Sequence, residues 1–347
     1  MRFAQVAGQD HAIALLRRTI RAGRLPHGYV FDGPAGVGKR QTAVGLGLAL
    51  LCPAEPGEGC GRCTTCVRVL GRNHPDVWVF DPTDLTDQAK AAGEKSAVKY
   101  AAREVFPFAL RSPHEAAARL LVIDNADEMS PDVQNTLLKT LEEPRPGVHI
   151  VLCTAARDRL LPTILSRTQR VRFVPVRAAV LIEILVGQGV ARERAETAAA
   201  LAGGSVARAL ELASAEGEAA PWQDVGELRR AAAAQGMAAI FDAAAGFGEK
   251  QAKERLPQTL ALLAGLYRDA LATAVGAPEL ALLRERAADI EGLAAGAAAS
   301  AAGVTRLLRA LRATVEANDA LGGNVNAVAA LERLLLDTRP CERSVAR

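Results

Sequence analysis

Residues Gly33-Pro-Ala-Gly-Val-Gly-Lys-Arg40 spell a phosphate-binding loop in every position but the last. Such a loop reads G-x-x-x-x-G-K-[S/T]. Its glycines let backbone N–H groups close around phosphates, its Lys reaches the terminal phosphates, and its Ser or Thr hydroxyl ligates Mg²⁺. Gly33, Gly36, Gly38 and Lys39 are therefore the candidate nucleotide-binding residues, whereas Arg40 stands where the hydroxyl should be. A guanidinium supplies no metal ligand. Held about 4 Å from one unit of positive charge, it would be repelled by about 4 kcal/mol at an effective dielectric near 20, so the long side chain is expected to swing away from the metal position. The chemistry to expect is weak or Mg²⁺-independent binding of ATP or ADP, without turnover.

A second constellation is built for metal. Cys52, Cys60, Cys63 and Cys66 lie within fifteen positions, interleaved with Pro53, Pro56, Gly57, Gly59 and Gly61. Glycines and prolines at this density predict a compact loop, not a helix. Tight turns of this kind bring four thiolates about 2.3 Å from a tetrahedral Zn²⁺. Four Cys ligands make a closed, structural zinc site, since a catalytic zinc leaves one position open for water. Reduced, unligated cysteines are the alternative; disulfides are disfavoured in a reducing compartment. A third element, Arg119-Leu-Leu-Val-Ile-Asp124, is an apolar strand ending in a carboxylate, the form of a Walker B element whose Asp helps hold Mg²⁺. An active hydrolase would follow that Asp with a Glu to polarise water. Here the next residue is Asn125, which cannot accept a proton.

These residues need a scaffold. Apolar residues at helical spacing predict a helix within 3–24, then a strand over 25–31, the Gly-rich turn, and a helix over 39–51. Further strands are expected at 77–80, 119–124, 149–154 and 169–174. Residues 81–96 are polar and aperiodic and read as a loop, and a helical pattern resumes over 98–110. Ser130-Pro131 opens a helix that runs to Glu142, with a favourable N-cap and Pro at the first helical position. Strands alternating with helices make this an α/β region with a parallel sheet covered on both faces, whose ligands sit at the strands' C-terminal ends. Cys153, inside a strand, is a core residue. Beyond Pro175 the composition shifts to helix formers. Short helices are punctuated by Gly187, Gly189 and Gly203-Gly204-Ser205. Longer helices follow with breaks near Gly248, Gly276-Ala-Pro278 and Gly322-Gly323, and a frayed tail is expected from Thr338. The alanine run 294–302 suits closely packed helices.

The chain has 347 residues, half of them apolar, enough for two or three domains. Its 42 Lys+Arg against 39 Asp+Glu give +3, too little for a strongly basic nucleic-acid binder. Without an apolar run near the roughly 20 residues of a membrane span, and without a secretory h-region after Met1, the expectation is a cytoplasmic protein with no membrane partner.

Taken together, five stretches resemble the clamp-loader branch of the AAA+ ATPases. They are Arg24-Leu-Pro-His27 running into the Gly-rich loop, the four-Cys insertion after the following helix, Val122-Ile-Asp-Asn-Ala-Asp-Glu-Met129, Asn135-Thr-Leu-Leu-Lys-Thr-Leu-Glu-Glu-Pro144, and Ser166-Arg167-Thr168, similar to a Ser-Arg-Cys signature with Thr in third place. The match is close over the first half of the chain. The resemblance implies an AAA+ P-loop domain over 1–175 with a zinc module at 52–66, a helical lid over 176–215, and an all-α collar over 216–340. It implies partners as well: gamma/tau and delta subunits in a hetero-pentameric ring, with the sliding clamp and primed DNA reached through the complex. It further implies that Arg167 acts catalytically in trans on a neighbour's ATP site, where a planar, permanently charged guanidinium offsets phosphoryl charge. Thr154 matches a residue that senses the γ-phosphate. Arg208 falls one position late for a second phosphate-sensing Arg, and one helical step turns a side chain by about 100°.

The expected function is thus a non-hydrolysing loader subunit in DNA replication. The rival, an active ATPase of the gamma/tau type, is opposed by Arg40 and Asn125. A stand-alone zinc-dependent nucleic-acid binder is disfavoured because only Arg62, Arg68 and Arg72 flank the cysteines and stacking aromatics are lacking.

Overall fold

Short runs bounded by turn formers, apolar except for the polar edge strand β5, become the five strands β1 (Gly28–Asp32), β2 (Val77–Phe80), β3 (Arg119–Ile123), β4 (Val148–Thr154) and β5 (Gln169–Arg172). In this computed structural model, which describes residues 1–214, 219–248, 250–283, 286–298, 301–321 and 326–345, they form one parallel sheet in the order β2-β3-β4-β1-β5. Side chains alternate across it as the strand period requires. Tyr29, Phe31, Leu120, Val122, Val151 and Cys153 join one apolar cluster, while Val30, Leu121, Ile123, Ile150 and Leu152 join the other. Cys153 is a buried core residue, as its place in the strand predicts.

The helices around the sheet are α1 (Asp10–Arg21), α2 (Lys39–Leu51), α3 (Thr64–Leu70), α4 (Leu85–Ala91), α5 (Ala97–Tyr100), α6 (Phe106–Ala109), α7 (Pro131–Glu142), α8 (Pro162–Leu165) and α9 (Ala178–Gly187). Then come α10 (Arg192–Leu201), α11 (Val206–Ser214), α12 (Ala219–Ala233), α13 (Ala238–Gly246), α14 (Lys250–Ala274), α15 (Ala287–Ala298), α16 (Ala301–Leu321) and α17 (Ala327–Val345). The chain forms two compact units, one of Met1–Gly187 with Gly203–Arg208 and the other of Gln188–Ala202 with the described residues from Ala209 onward. The second unit is all helix, packed around Leu228, Leu256, Leu263, Tyr267, Leu307 and Leu331. Among the described residues no helix is long and apolar enough to cross a membrane.

Several local expectations change. Residues 81–96 are not a structureless loop: Asp81 accepts the Thr83 N–H at 3.1 Å to start a 3₁₀ turn, and α4 follows because Leu85 and Ala89, four apart, are both buried. The N-terminal helix is shorter than its apolar pattern, because Gly8 at φ +75° separates a turn at Phe3–Gln5 from α1. Over 98–110 the helical pattern breaks into short turns around a π-helical segment, Ala101–Val105, just ahead of Pro107. The cysteine loop gives way to helix at Thr64, so Cys66 sits in the first turn of α3. The tail does not fray at Thr338. The last helix continues to Val345 because Glu342 is buried, accepting from Tyr267 Oη at 2.8 Å and Arg229 Nε at 3.0 Å. The expected break at Gly322-Gly323 lies outside the described residues, as do positions 299–300 of the alanine run.

Candidate functional site

The parallel order puts the turn after β1 beside the ends of β4 and β3, with Asp32 paired in register to Thr154 and Ile123 to Leu152. This is where the candidate residues meet. Gly33 permits close approach: its N–H donates to Thr154 O at 3.2 Å, and a Cβ on it would strike the carbonyl of Phe173. Gly36, at φ +74°, is needed for its left-handed backbone and for the space that Ser205 Oγ occupies against it. Gly38, also at positive φ, is the N-cap of α2.

The charged groups of the loop are engaged with the chain itself. Lys39, 8% exposed, turns its ammonium onto its own loop, donating to Gly33 O and Pro34 O at 2.7 Å each. Burial pulls its pKa below the ordinary value of a lysine, against the opposing pull of Cys153 and of the carboxylates Asp124, Asp127 and Asp32. Arg40 does not swing away. Its Nη1 lies 3.5 Å from Asp124 Oδ2, so a guanidinium faces the strand-end carboxylate. The reason is local electrostatics. The repulsion argument assumed a metal, whereas the chain offers a half-buried carboxylate whose pKa burial pushes up and whose charge Arg40 helps retain.

Asn125 sits at φ +47° and donates its Nδ2 to Asp81 Oδ2 at 3.0 Å, so it turns toward an acid rather than toward a water. Asp127 accepts the Ala155 N–H and Glu128 pairs with Arg159, so neither takes up the role of a base. Thr154 is fully buried and its Oγ1 accepts the Ala156 N–H at 3.1 Å. The carbonyl of Gly36 accepts from Val206 N at 2.9 Å and Ala207 N at 3.3 Å, and Ser205 Oγ caps the Arg208 N–H at 3.2 Å. The first turn of α11 therefore closes over the Gly-rich loop.

The four cysteine sulfurs all lie within 4.8 Å of one another. Cys52–Cys63 and Cys60–Cys66 are 3.9 Å apart, close to the roughly 3.8 Å edge of a tetrahedron with 2.3 Å metal–sulfur bonds. Backbone N–H groups point at the sulfurs, Glu55 and Cys60 at Cys52 (3.3 Å each) and Arg62 and Cys63 at Cys60 (3.5 and 3.3 Å). The last two hold the Cys60 thiol down to about 6, whereas burial pushes Cys66 up to about 12. One thiol poised as thiolate among three neighbours is a donor set that fits a thiophilic metal.

Arg167 is placed apart from this loop, after α8, with its side chain 37% exposed. Sequence spacing pointed to none of Ser205 over Gly36, Asp81 under Asn125, or Glu142 beside Arg167, because each contact joins elements that are distant along the chain.

Residues 8–177 match the model of the family described as "DNA polymerase III, delta subunit". That match covers just under half of the chain. The chain is 34% identical over 204 residues to the DNA polymerase III subunit delta' of Bacillus subtilis (strain 168), covering 59% of each. It is 34% identical over 143 residues to the delta' subunit of Pseudomonas aeruginosa, 41% of each. It is also 35% identical over 193 residues to the gamma/tau subunit of Mycobacterium tuberculosis (strain H37Rv), 54% of this chain and 32% of that one. The matches thus span little more than half of these relatives' lengths, or less. A solved gamma subunit-related protein of DNA polymerase III from Thermotoga maritima aligns over 96% of this chain and 100% of its own, at TM-score 0.40 and 16% identity.

Proposed function

We propose that this chain is a delta-prime-type subunit of the DNA polymerase III clamp loader, an AAA+ member of the replication machinery that does not itself hydrolyse ATP. The observation that carries this reading is the pairing of Arg40 with Asp124 beside a Lys39 bonded to its own loop. Hydrolysis of this type needs a metal held by a hydroxyl and a carboxylate, and a base for water. Here the hydroxyl is a guanidinium, the carboxylate is paired with it, and Asn125 replaces the base. Similarity alone does not separate the two kinds of subunit, since delta' and gamma/tau relatives are about equally identical. The two substitutions, Arg40 and Asn125, and the pairing of Asp124 favour the first.

On this reading the chain works as a component of the DNA-directed DNA polymerase III holoenzyme in the cytoplasm. It joins gamma/tau and delta subunits in a hetero-pentameric ring that places the sliding clamp on primed DNA. Residues 1–175 form the P-loop domain, 176–215 the lid and 216–340 the collar. Arg167 acts in trans, presenting its guanidinium to a neighbour's ATP. Cys52, Cys60, Cys63 and Cys66 hold a structural Zn²⁺ that ties the chain after α2 to the start of α3. Residual nucleotide binding through Gly33, Gly36, Gly38 and Lys39 is weak and independent of Mg²⁺.

The test is ATPase activity of the purified chain, alone and mixed with its partner subunits. No turnover is expected alone, and hydrolysis by the mixture should survive Lys39→Ala in this chain. Robust turnover by the isolated protein, abolished by Lys39→Ala, would favour the gamma/tau-type reading instead.

A further inference from the structure

Arg167 has fixed company. Its Nη1 donates to Thr163 O at 3.1 Å and to Ser166 Oγ at 3.3 Å, and its Nη2 lies 2.9 Å from Glu142 Oε1. A guanidinium carries five N–H donors. The two hydrogen bonds and the ion pair engage only its Nη groups, which leaves the Nε–H without a partner among the described residues. The side chains of Arg167 and Glu142 are 37% and 48% exposed, so the group can be reached from outside.

The backbone under this pair is closely set. Glu142 is the last residue of α7, and Arg167 follows α8. A Cβ placed on Gly28 of β1 would lie 2.9 Å from Thr168 Cγ2, 3.2 Å from Leu141 Cδ2 and 3.3 Å from Arg167 O. The bare glycine thus lets the ends of both helices settle on the same strand, which sets the distance between carboxylate and guanidinium. Thr168 Oγ1 donates to Ile164 O at 2.9 Å and fixes the turn further. A carboxylate at the carbonyl end of a helix is electrostatically disfavoured, and a cation there is favoured, so Glu142 gains from keeping Arg167 beside it.

We propose that Glu142 is the positioning residue of Arg167: its carboxylate holds one edge of the guanidinium so that the remaining donor is offered, already ordered, to a phosphate on an adjacent subunit. This rests on the trans-acting role of Arg167 proposed above and deepens it by naming the group that sets its aim. Arginine side chains lose considerable rotamer freedom when fixed. A carboxylate that restricts them beforehand acts on the chemical step by orientation, and leaves the affinity for ATP in the neighbouring site alone.

The experiment uses the loader assembled from its own subunits, with DNA-stimulated ATP hydrolysis measured for the wild type, Glu142→Gln, Arg167→Ala and the double variant. Arg167→Ala should remove most of the turnover at the interface it serves. Glu142→Gln, isosteric and exposed, should melt with the wild type and lower kcat about two- to five-fold at unchanged KM for ATP, the range expected of an exposed ion pair. The double variant should equal Arg167→Ala. The advantage of the wild type over Glu142→Gln should also narrow as added salt screens the pair. If Arg167→Ala lowers turnover while Glu142→Gln matches the wild type, or if the double variant falls below Arg167→Ala, the role of Glu142 is wrong and that of Arg167 stands. If Arg167→Ala has no effect, both are wrong.

Discussion

Replacing Arg40 with Ala removes the cation that stands opposite Asp124, and the consequence can be worked from the pair. At 3.5 Å and an effective dielectric near 20, two unit charges attract by about 5 kcal/mol before screening and desolvation are counted. The Arg40 side chain is 31% exposed and that of Asp124 15%, so the pair lies between an exposed pair, worth about 0.2–1 kcal/mol, and a buried pair, whose truncation costs about 3–5 kcal/mol. A loss of about 1–2 kcal/mol at pH 7 is expected. Its pH dependence follows from the direction of the Asp124 shift. Burial raises this carboxyl above its ordinary 3.8 even with Arg40 present, and removing Arg40 raises it further. A raised folded-state value gives stability that is fully present below 3.8 and is lost as pH rises through the folded value. The Arg40→Ala deficit should therefore be small near pH 4, grow as Asp124 ionises, and level off by pH 7. Urea unfolding read by Trp78 in a Trp222→Phe background reports on the sheet-bearing unit, since Trp78 packs edge-on against Phe80 and Phe108. An Arg40→Ala protein as stable as the wild type at pH 7, or one whose deficit is larger at pH 4, would refute the pairing.

The remaining predictions concern parts that hold the site up. Metal analysis of the intact chain should find one zinc per molecule; Cys66→Ala, which removes a fully buried sulfur, should lose it and lower the melting temperature by roughly 10 °C, as the loss of several kcal/mol implies for a unit of this size. Asp76 is fully buried and accepts the N–H groups of His114, Glu115 and Ala116 and the guanidinium of Arg119. Burial pushes its carboxyl up, but those donors outweigh it and hold it below 3.8. Its stabilisation is therefore present above 3.8 and lost as pH falls through the folded value, so Asp76→Asn should cost about 3–5 kcal/mol at pH 7 and progressively less in acid. A deficit that stays constant from pH 7 to pH 2 would show that the charge is irrelevant.

How much of this was legible beforehand depends on whether the determining contact is local. Four of the five strands could be read because each is a short apolar run between turn formers, β5 because Val171 and Phe173 alternate with polar residues, and their parallel pairing because helices separate them. The loop at Gly33 and the carboxylate at Asp124 could be read because backbone geometry alone ties them to strand ends. The helix at Leu85–Ala91 could not, since only two buried residues, Leu85 and Ala89, hold it down amid polar neighbours. The fate of Arg40 was misjudged for a related reason. Residue type says that it cannot bind metal, but where a long side chain comes to rest depends on which buried charge lies within reach, and that is a property of the fold. The Ser205 cap on Gly36 and the Glu142 hold on Arg167 are likewise set by elements that meet only in three dimensions.

The exchange of a hydroxyl for a guanidinium has a further physical consequence for the loop as a whole. In a loop that works on nucleotide, the lysine and the strand-end carboxylate are left incomplete, and phosphate and metal complete them. Here Lys39 is completed by two carbonyls, Asp124 by Arg40, Asp32 by Arg170, and the carbonyl of Gly36 by the first turn of α11. A phosphate entering the loop has to replace the two hydrogen bonds of a charged ammonium, each worth about 1.5–3 kcal/mol, before it gains any of its own. Every 1.4 kcal/mol left unrecovered weakens binding about tenfold. The same contacts tie the loop to the chain's own groups. On the proposed function, a subunit that held its shape while its neighbours cycled through ATP would gain from these contacts.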